Sequence, residues 1–189
     1  MVPDKSTYTN GELHWLNESN LDTMKTIFLA AGCFWGAQHY LKQIRGVVET
    51  ETGFANGNTE NPVYEEVYTD TTGYAEAVRV VFDPEVLPLR KLLNLYFDCI
   101  EPTSVNRQGE DEGTRYRTGI YYIETEDYLT IKEVYNEVQR GYSAPLAVEV
   151  EPIRNFFPAD ESHQDYLTKH PDGYCHLPQA LFEFARKAN

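Results

Sequence analysis

Cys33 stands in Gly32-Cys33-Phe34-Trp35-Gly36-Ala37, where an apolar run over residues 26–31 gives way to a helical pattern. A thiol at such a junction faces the first-turn N–H groups of a helix. Their partial positive charge favours thiolate and predicts a pKa below the free value of about 8.5. Phe34 and Trp35 set two aromatic rings beside this candidate nucleophile, a corner suited to an apolar group on a substrate. The alternative is a small buried thiol packed in a tight turn, as free cysteines often are. The flanking glycines, which let a substrate or backbone come close, favour the reactive reading.

Two further positions carry chemistry. In the stretch 74–82 a period of two puts Glu76, Val78, Val80 and Phe82 on one strand face. A carboxyl in phase with three large apolar side chains is desolvated, which raises its pKa and lets it donate a proton near neutral pH. At the open start of a strand it is instead an ordinary carboxylate, and the pattern leaves both readings open. Cys175 lies in Pro171-Asp172-Gly173-Tyr174-Cys175-His176-Leu177-Pro178, where prolines and a glycine suggest a mobile segment around 171–178. If Cys33 becomes a sulfenic acid, a thiol that swings within reach condenses with it to a disulfide. An ordinary exposed thiol is the other reading. Cys99 lies beside the apolar stripe Leu89, Leu92, Leu93, Tyr96, Phe97 and Ile100 and is assigned to packing. His39 and His163 read as helix-surface or capping residues. The five histidines show no ligand spacing, and three widely separated cysteines make neither a metal motif nor a disulfide scaffold.

The elements that must position these groups follow from periodicity. A strand at 26–31 leads into a helix marked by Phe34, Ala37, Leu41 and Ile44 that stops at Gly46, about three turns long. A strand at 47–54, a turn-rich loop through Asn61-Pro62, the strand at 74–82 and a helix over 89–100 come next. The polar loop 107–114 leads into a strand at 115–123. Thr125 is placed to cap a helix ending near Gly141, a strand spans 146–153, and Ser162 is placed to cap a short helix over 163–169. The first six elements match a split βαβ, ferredoxin-like plan, which predicts an α+β two-layer sandwich with an irregular C-terminal segment.

With 189 residues and no break in composition, one catalytic domain over 25–189 is expected, preceded by an extension over 1–24 that partly docks through Leu13, Trp15, Leu16 and Leu21. A formal charge of -14 disfavours nucleic acid and anionic membrane surfaces as partners. No apolar run is long enough to cross a bilayer, and the start, Met1-Val2-Pro3-Asp4-Lys5, is too polar for a secretory signal, so a soluble, cytoplasmic protein is expected.

Taken together, Gly32-Cys33-Phe34-Trp35-Gly36, Asn61-Pro62-Val63-Tyr64, Thr72 to Val78, Arg107 to Asp111 through Tyr116-Arg117, His163-Gln164-Asp165-Tyr166-Leu167 and Gly173-Tyr174-Cys175 resemble the A-type peptide methionine sulfoxide reductases. The resemblance implies that Cys33 attacks the sulfoxide sulfur, that Glu76 protonates the oxygen, and that Cys175 closes the recycling disulfide. It implies that Phe34 and Trp35 hold the substrate methyl group, that Tyr64 and Tyr116 hold the sulfoxide oxygen, and that Asp111 and Tyr174 belong to the substrate side. A sulfoxide oxygen leaves poorly unless protonated, so the resemblance favours the neutral, desolvated reading of Glu76. The implied activity is reduction of methionine-S-sulfoxide, free or in peptides and proteins, by a monomer, with thioredoxin as reductant and no metal or organic cofactor.

Three positions depart from the family pattern, which usually has glutamate at Gln38, histidine at Tyr74 and asparagine at Glu110. No cysteine follows Cys175 to relay a disulfide outward, so one-step recycling is expected. A cysteine peroxidase would also want a reactive thiol and a resolving partner, but not the aromatic corner. A redox sensor or sulfoxide-binding module of the same fold is the reading from another class.

Overall fold

Side chains from Ile27 to Ala31 are buried on both faces of β1 (Lys25–Ala31), which is why this strand reads as an unbroken apolar run rather than an alternation. The computed structural model describes residues 22–188, so nearly all of the expected 1–24 extension, with Leu13, Trp15, Leu16 and Leu21, lies outside the described residues. After β1 come α1 (Phe34–Leu41), β2 (Val47–Ala55), the short α2 (Tyr64–Val67), β3 (Ala75–Phe82) and α3 (Leu89–Asp98). The chain continues through a two-strand hairpin, β4 (Arg107–Gln108) and β5 (Asp111–Glu112), then β6 (Thr118–Tyr122), α4 (Asp127–Gln139), β7 (Glu149–Pro152), β8 (Phe156–Pro158), α5 (Tyr166–Lys169) and α6 (Gln179–Lys187).

The main sheet has the order β7-β6-β1-β3-β2-β8. Its middle four strands, β6-β1-β3-β2, carry the split βαβ core expected from the sequence. The sheet is mixed: β6 and β7 run parallel, joined by α4, and the remaining neighbours are antiparallel. One face packs Ile27, Leu29, Val78, Val80 and Ile120 against Ala37, Tyr40 and Leu41 of α1, Leu92 and Tyr96 of α3, and Ile131 and Val134 of α4. The other face is built of small groups, Ala30, Ala55, Ala75 and Ala77, closed by Phe28, Tyr121 and Phe156. Among the described residues no helix is long and apolar enough to cross a membrane.

Several elements differ from the sequence expectation for identifiable reasons. α1 ends at Leu41, two turns long. Ile44 still reaches the core because Gln43 and Ile44 continue the chain with tighter bonds to Tyr40 and Leu41 (3.1 and 3.2 Å), so the apolar spacing outlasts the α-helix. The strand expected from Arg115 begins only at Thr118. Residues Thr114–Tyr116 form a 3₁₀ turn held by Asp70, whose Oδ1 accepts from the Arg115 N–H (2.9 Å) and the Thr114 hydroxyl (3.1 Å). Thr125 does not cap α4; the N-cap position falls at Glu126, and Asp127 pairs with Lys25 at 2.5 Å instead. Asp160, not Ser162, caps the turn Glu161–His163, accepting from the Ser162 N–H at 3.0 Å. Residues 171–178 hold no helix or strand, in line with the expected irregular segment, but α6 follows them and buries Phe182 and Ala185.

Tyr96 ties the two layers together. Its hydroxyl donates to the Ala30 carbonyl (2.7 Å) and accepts from the Gly119 N–H (3.1 Å), bridging β1 and β6 from α3. Tyr96→Phe removes a buried hydrogen-bond partner from both backbone groups, and about 1–3 kcal/mol of stability should be lost. Urea denaturation should show a lower midpoint with an unchanged slope.

Candidate active site

The turn between β1 and α1 is shaped by Gly32, at φ +78, whose missing Cβ would lie 2.7 Å from the Gln108 side chain. This turn sets Cys33 at the N-cap position of α1, with its carbonyl accepting from the Ala37 N–H at 3.2 Å. The N–H groups of Trp35 and Gly36 point at Cys33 Sγ and stabilise a thiolate, as the position in the sequence predicts. The expected lowered pKa is nevertheless overturned. Cys33 is 7% exposed, and its pKa is pushed well up by burial first and by the Glu76 charge second.

Glu76 enters from β3. The third N–H of the same helical turn, that of Phe34, donates to Glu76 Oε2 at 3.0 Å. The carboxyl is 1% exposed, so of the two sequence readings the desolvated one holds. Burial pushes its pKa up to about 8, against the opposing pull of the Phe34 N–H and the Arg115 charge. A neutral carboxylic acid therefore sits on the turn that carries the thiol.

The aromatic corner is larger than Phe34 and Trp35. Phe34 packs against Phe54, Tyr64 and His163, with ring centroids 5.7, 6.4 and 5.6 Å away. Trp35 stacks on Tyr166 at 3.7 Å and 11°, and its indole N–H donates to His163 Nδ1 at 3.1 Å. Tyr64 stacks on the other side of the group, 4.4 Å from the His163 ring. His163 is thus no surface or capping residue but the centre of this wall, and burial lowers its pKa and keeps the ring neutral. A cavity of about 510 Å³ shares Phe54, Tyr64 and His163 with the wall.

Side-chain amides hold the wall in place. Gln164 pairs with both backbone groups of Thr52, accepting from its N–H (2.9 Å) and donating to its carbonyl (3.0 Å), much as a neighbouring strand would. The Thr52 hydroxyl donates to the His163 carbonyl at 3.2 Å. Gln38, buried on α1, accepts from the Asp165 N–H at 2.8 Å and donates to Thr50. The first sequence departure is therefore an interior joint.

Tyr116 closes the site from the turn that Asp70 holds. The Arg115 guanidinium pairs with Asp70 and lies 4.3 Å over the rings of Tyr68 and Tyr116. Burial, then the Glu76 charge, raises the phenol pKa of Tyr116, and the same causes push Tyr64 up to about 12. Both hydroxyls stay protonated and can donate. Asp111, on β5, has a buried Oδ2 without a hydrogen-bond partner among the described residues, and its charge acts on Cys33, Glu76 and Tyr174. Tyr174 is 46% exposed. The half-buried Cys175 Sγ accepts from the Leu177 N–H at 3.4 Å and lies 3.0 Å from where a Gly36 Cβ would sit, against the turn that bears Cys33. All nine residues singled out from the sequence thus belong to one region around the start of α1.

The other two departures have different fates. Tyr74 is buried, donates its hydroxyl to the Thr59 carbonyl and packs edge-on against Phe157 at 6.0 Å, fastening the 55–62 loop. Glu110 is exposed at the tip of the β4–β5 hairpin. Cys99 is buried and donates to the Tyr96 carbonyl at 3.1 Å, a packing role as expected. His39 packs on Phe182, centroids 4.6 Å apart. Among the described residues no three His, Cys, Asp or Glu side chains are grouped to hold a metal ion.

A thiol and a neutral acid on one helical turn, faced by two phenols and an aromatic wall, suit nucleophilic attack on a centre whose oxygen the acid can protonate. The family model for peptide methionine sulfoxide reductase matches residues 25–188. The chain belongs to that family. A peptide methionine sulfoxide reductase MsrA of Lachnoclostridium phytofermentans is 51% identical over 164 residues, spanning 87% of this chain and 99% of that protein. Among solved structures, Mxr1 from Saccharomyces cerevisiae in reduced form superposes with a TM-score of 0.78 at 36% identity, over 82% of this chain and 90% of that one. Mxr1 in complex with Trx2 superposes with a TM-score of 0.55 at 26% identity, over 77% and 86%.

Membership of the methionine sulfoxide reductases leaves the supporting residues to be read from contacts. Asp70, Arg115, Gln164 and Gln38 act through side chains distant in sequence. In the sequence Gln38 stands out only as a departure from the family pattern, Gln164 only as part of the motif from His163 to Leu167, and Asp70 not at all. Glu76→Gln keeps an acceptor for the Phe34 N–H but no acidic proton, so turnover should fall by about 10²–10⁴-fold. Between pH 4.5 and about 8 the folded native chain holds a proton at this site that the unfolded chain releases, so native stability should fall with rising pH across that window. Glu76→Gln lacks this penalty. Its denaturation midpoint should exceed the native one by a margin that grows up to pH 8, as parallel melts and turnover assays would show.

Proposed function

We propose that Cys33 is the nucleophile, Glu76 the acid and Cys175 the resolving thiol in the reduction of methionine-S-sulfoxide, free or in peptides and proteins. The observation that carries this reading is the Phe34 N–H to Glu76 hydrogen bond. It holds a carboxyl with a pKa of about 8 on the turn whose next two N–H groups point at Cys33 Sγ. As Cys33 attacks sulfur, Glu76 gives its proton to the sulfoxide oxygen, which removes the negative charge that would otherwise make oxygen a poor leaving group. The Tyr64 and Tyr116 hydroxyls donate to the same oxygen, and Phe34 and Trp35 hold the methyl group. Asp111 and Tyr174 border the substrate.

The thiol and the sulfoxide together become a sulfenic acid on Cys33 and a thioether. Cys175 then attacks the sulfenic sulfur, releasing water and forming the disulfide. The helix N–H groups matter most at the first step, because they stabilise the Cys33 thiolate while Glu76 is still protonated and neutral. Attack then moves the negative charge from sulfur to the Glu76 carboxylate as its proton goes to oxygen. That timing reconciles a thiol pushed up by burial with a role as nucleophile. Thioredoxin is the proposed reductant, supported by the likeness to Mxr1 in complex with Trx2. We further propose a single catalytic domain over 25–189, acting as a monomer in the cytoplasm.

Turnover of the two sulfoxide epimers in a peptide, with thioredoxin recycling, tests the assignment. The S epimer alone should be reduced. Cys33→Ser should abolish reduction, and Cys175→Ser should confine it to one turnover with thioredoxin. Failure of the reduced native chain to turn over either epimer would favour a sulfoxide sensor or binding module instead.

A further inference from the structure

His176 directly follows Cys175, and nothing in its sequence context marks it. Its Nε2 lies 3.1 Å from the Ala31 carbonyl oxygen, while its Nδ1 is buried and has no hydrogen-bond partner among the described residues. A carbonyl only accepts, so Nε2 carries the ring proton and Nδ1 of the neutral imidazole presents a lone pair. Burial lowers the pKa of this histidine and keeps it neutral, opposed in part by the Asp111 charge. A buried acceptor with no donor costs free energy in the resting state, and such exceptions concentrate where a group has chemistry to do.

The Cys175 thiol stands near this lone pair without a hydrogen bond to it in the resting structure. His176 Nδ1 and Cys175 Sγ lie 3.1 and 3.0 Å from the point where a Gly36 Cβ would stand, so the two atoms are at most about 6 Å apart. Both occupy space that exists because residue 36 has no side chain. Cys175 itself needs help to react: burial raises its thiol pKa above 9.0, the Asp111 charge adds to this, and the Leu177 N–H only partly offsets it. At neutral pH it is a thiol, and thiols are poor nucleophiles.

We propose that His176 is the base that takes the Cys175 proton as Cys175 attacks the sulfenic acid of Cys33. The inference rests on the resolving role proposed for Cys175. In the step, the bond from Cys175 sulfur to Cys33 sulfur forms and the S–O bond of the sulfenic acid breaks. The proton passes from Cys175 to Nδ1 and on to the departing hydroxide, which leaves as water. The sulfoxide has already supplied the oxidising equivalent, so no further oxidant enters. The charged or titratable groups around the ring are Asp111 from β5 and Cys175 from its own segment. Across the adjoining cavity of about 210 Å³ stand Asp98, Cys99 and Glu101. Gln108, which packs beside the ring at Gly32, is neutral.

A simple anchoring role for the ring makes a different forecast, so the test follows pH. Single turnovers of peptide methionine-S-sulfoxide without reductant, quenched rapidly from pH 4 to 10, give methionine formation and loss of the second thiol as separate rates. His176→Gln retains a donor for the Ala31 carbonyl but no base. Its methionine burst should match the native chain, while disulfide closure should slow about 100-fold at pH 7. The deficit should vanish as pH passes the Cys175 ionisation, where thiolate forms unaided. A deficit of the same factor at every pH, or none, overturns the proposal. The native chain supplies a check that needs no variant: closure should rise through an inflection below pH 6.5 and then stay flat to pH 9. A lone inflection above 9 overturns the proposal as well. Absence of the methionine burst from the native chain would instead refute the reductase assignment, a result distinct from a closure defect.

Discussion

Three N–H groups at the start of α1 have no partners within the helix, and the site divides them between two acids. Phe34 N–H goes to the Glu76 carboxyl, and those of Trp35 and Gly36 go to the Cys33 sulfur. The two acceptors are nearly water-free, and a negative charge on either raises the cost of one on the other. The resting site therefore keeps both protons. A substrate that takes the Glu76 proton on oxygen while its sulfur takes the Cys33 sulfur leaves a single negative charge in the site, on the carboxylate and no longer on the thiolate, which couples nucleophile and acid without a separate relay. Everything else about the fold serves this turn. β1 and β3 must be sheet neighbours, Gly32 must adopt its left-handed conformation, and Tyr96 must lock β1 to β6 behind it.

Around that turn the protein sets polar contacts of two kinds. The Asp70–Arg115 pair places a positive charge near Glu76 and frames Tyr116, but it is not strong enough to return the carboxyl to its usual range. The aromatic wall depends on neutral contacts instead. Gln164 imitates a strand against Thr52, and Gln38 ties Asp165 to the helix that bears the thiol. Trp35, clasped between His163 and Tyr166, is thereby fixed by residues far along the chain.

Legibility in the sequence followed how locally each feature is caused. β1, β3 and α3 were readable because burial of whole faces leaves runs and stripes in the residues themselves. β8 was not, since Phe156-Phe157-Pro158 has no alternation and exists as a strand through pairing with β2. α6 carries an apolar face at Leu181, Phe182 and Ala185 but follows a segment dominated by proline and glycine, which drew the reading toward irregular structure. At the site, the helix N–H groups facing Cys33 could be inferred from position, whereas the desolvation that outweighs them depends on Glu76, Asp111 and the tail. His163 was misjudged for a related reason. One histidine in a polar stretch shows nothing of the three rings that meet it, and resemblance rather than pattern carried Tyr64, Tyr116 and Asp111 to their places.

The clamps on the aromatic wall are amides, and amides do not titrate. Where relatives usually carry glutamate, Gln38 joins α1 to β2 and to the backbone of Asp165 with a group that has one protonation state across the accessible pH range. The same holds for Gln164, and for Gln108, which pairs with the backbone of Glu101 beneath the hairpin. Acidification or alkalinisation therefore has little leverage on these amide joints, and its structural effect on the binding face is confined to His163, whose Nδ1 accepts from Trp35, and to the Asp70–Arg115 pair. Elsewhere it acts on the thiols, Glu76 and the imidazoles, so the acidity response of this chain is concentrated in the groups of the reacting turn and not in the amides that join its scaffold.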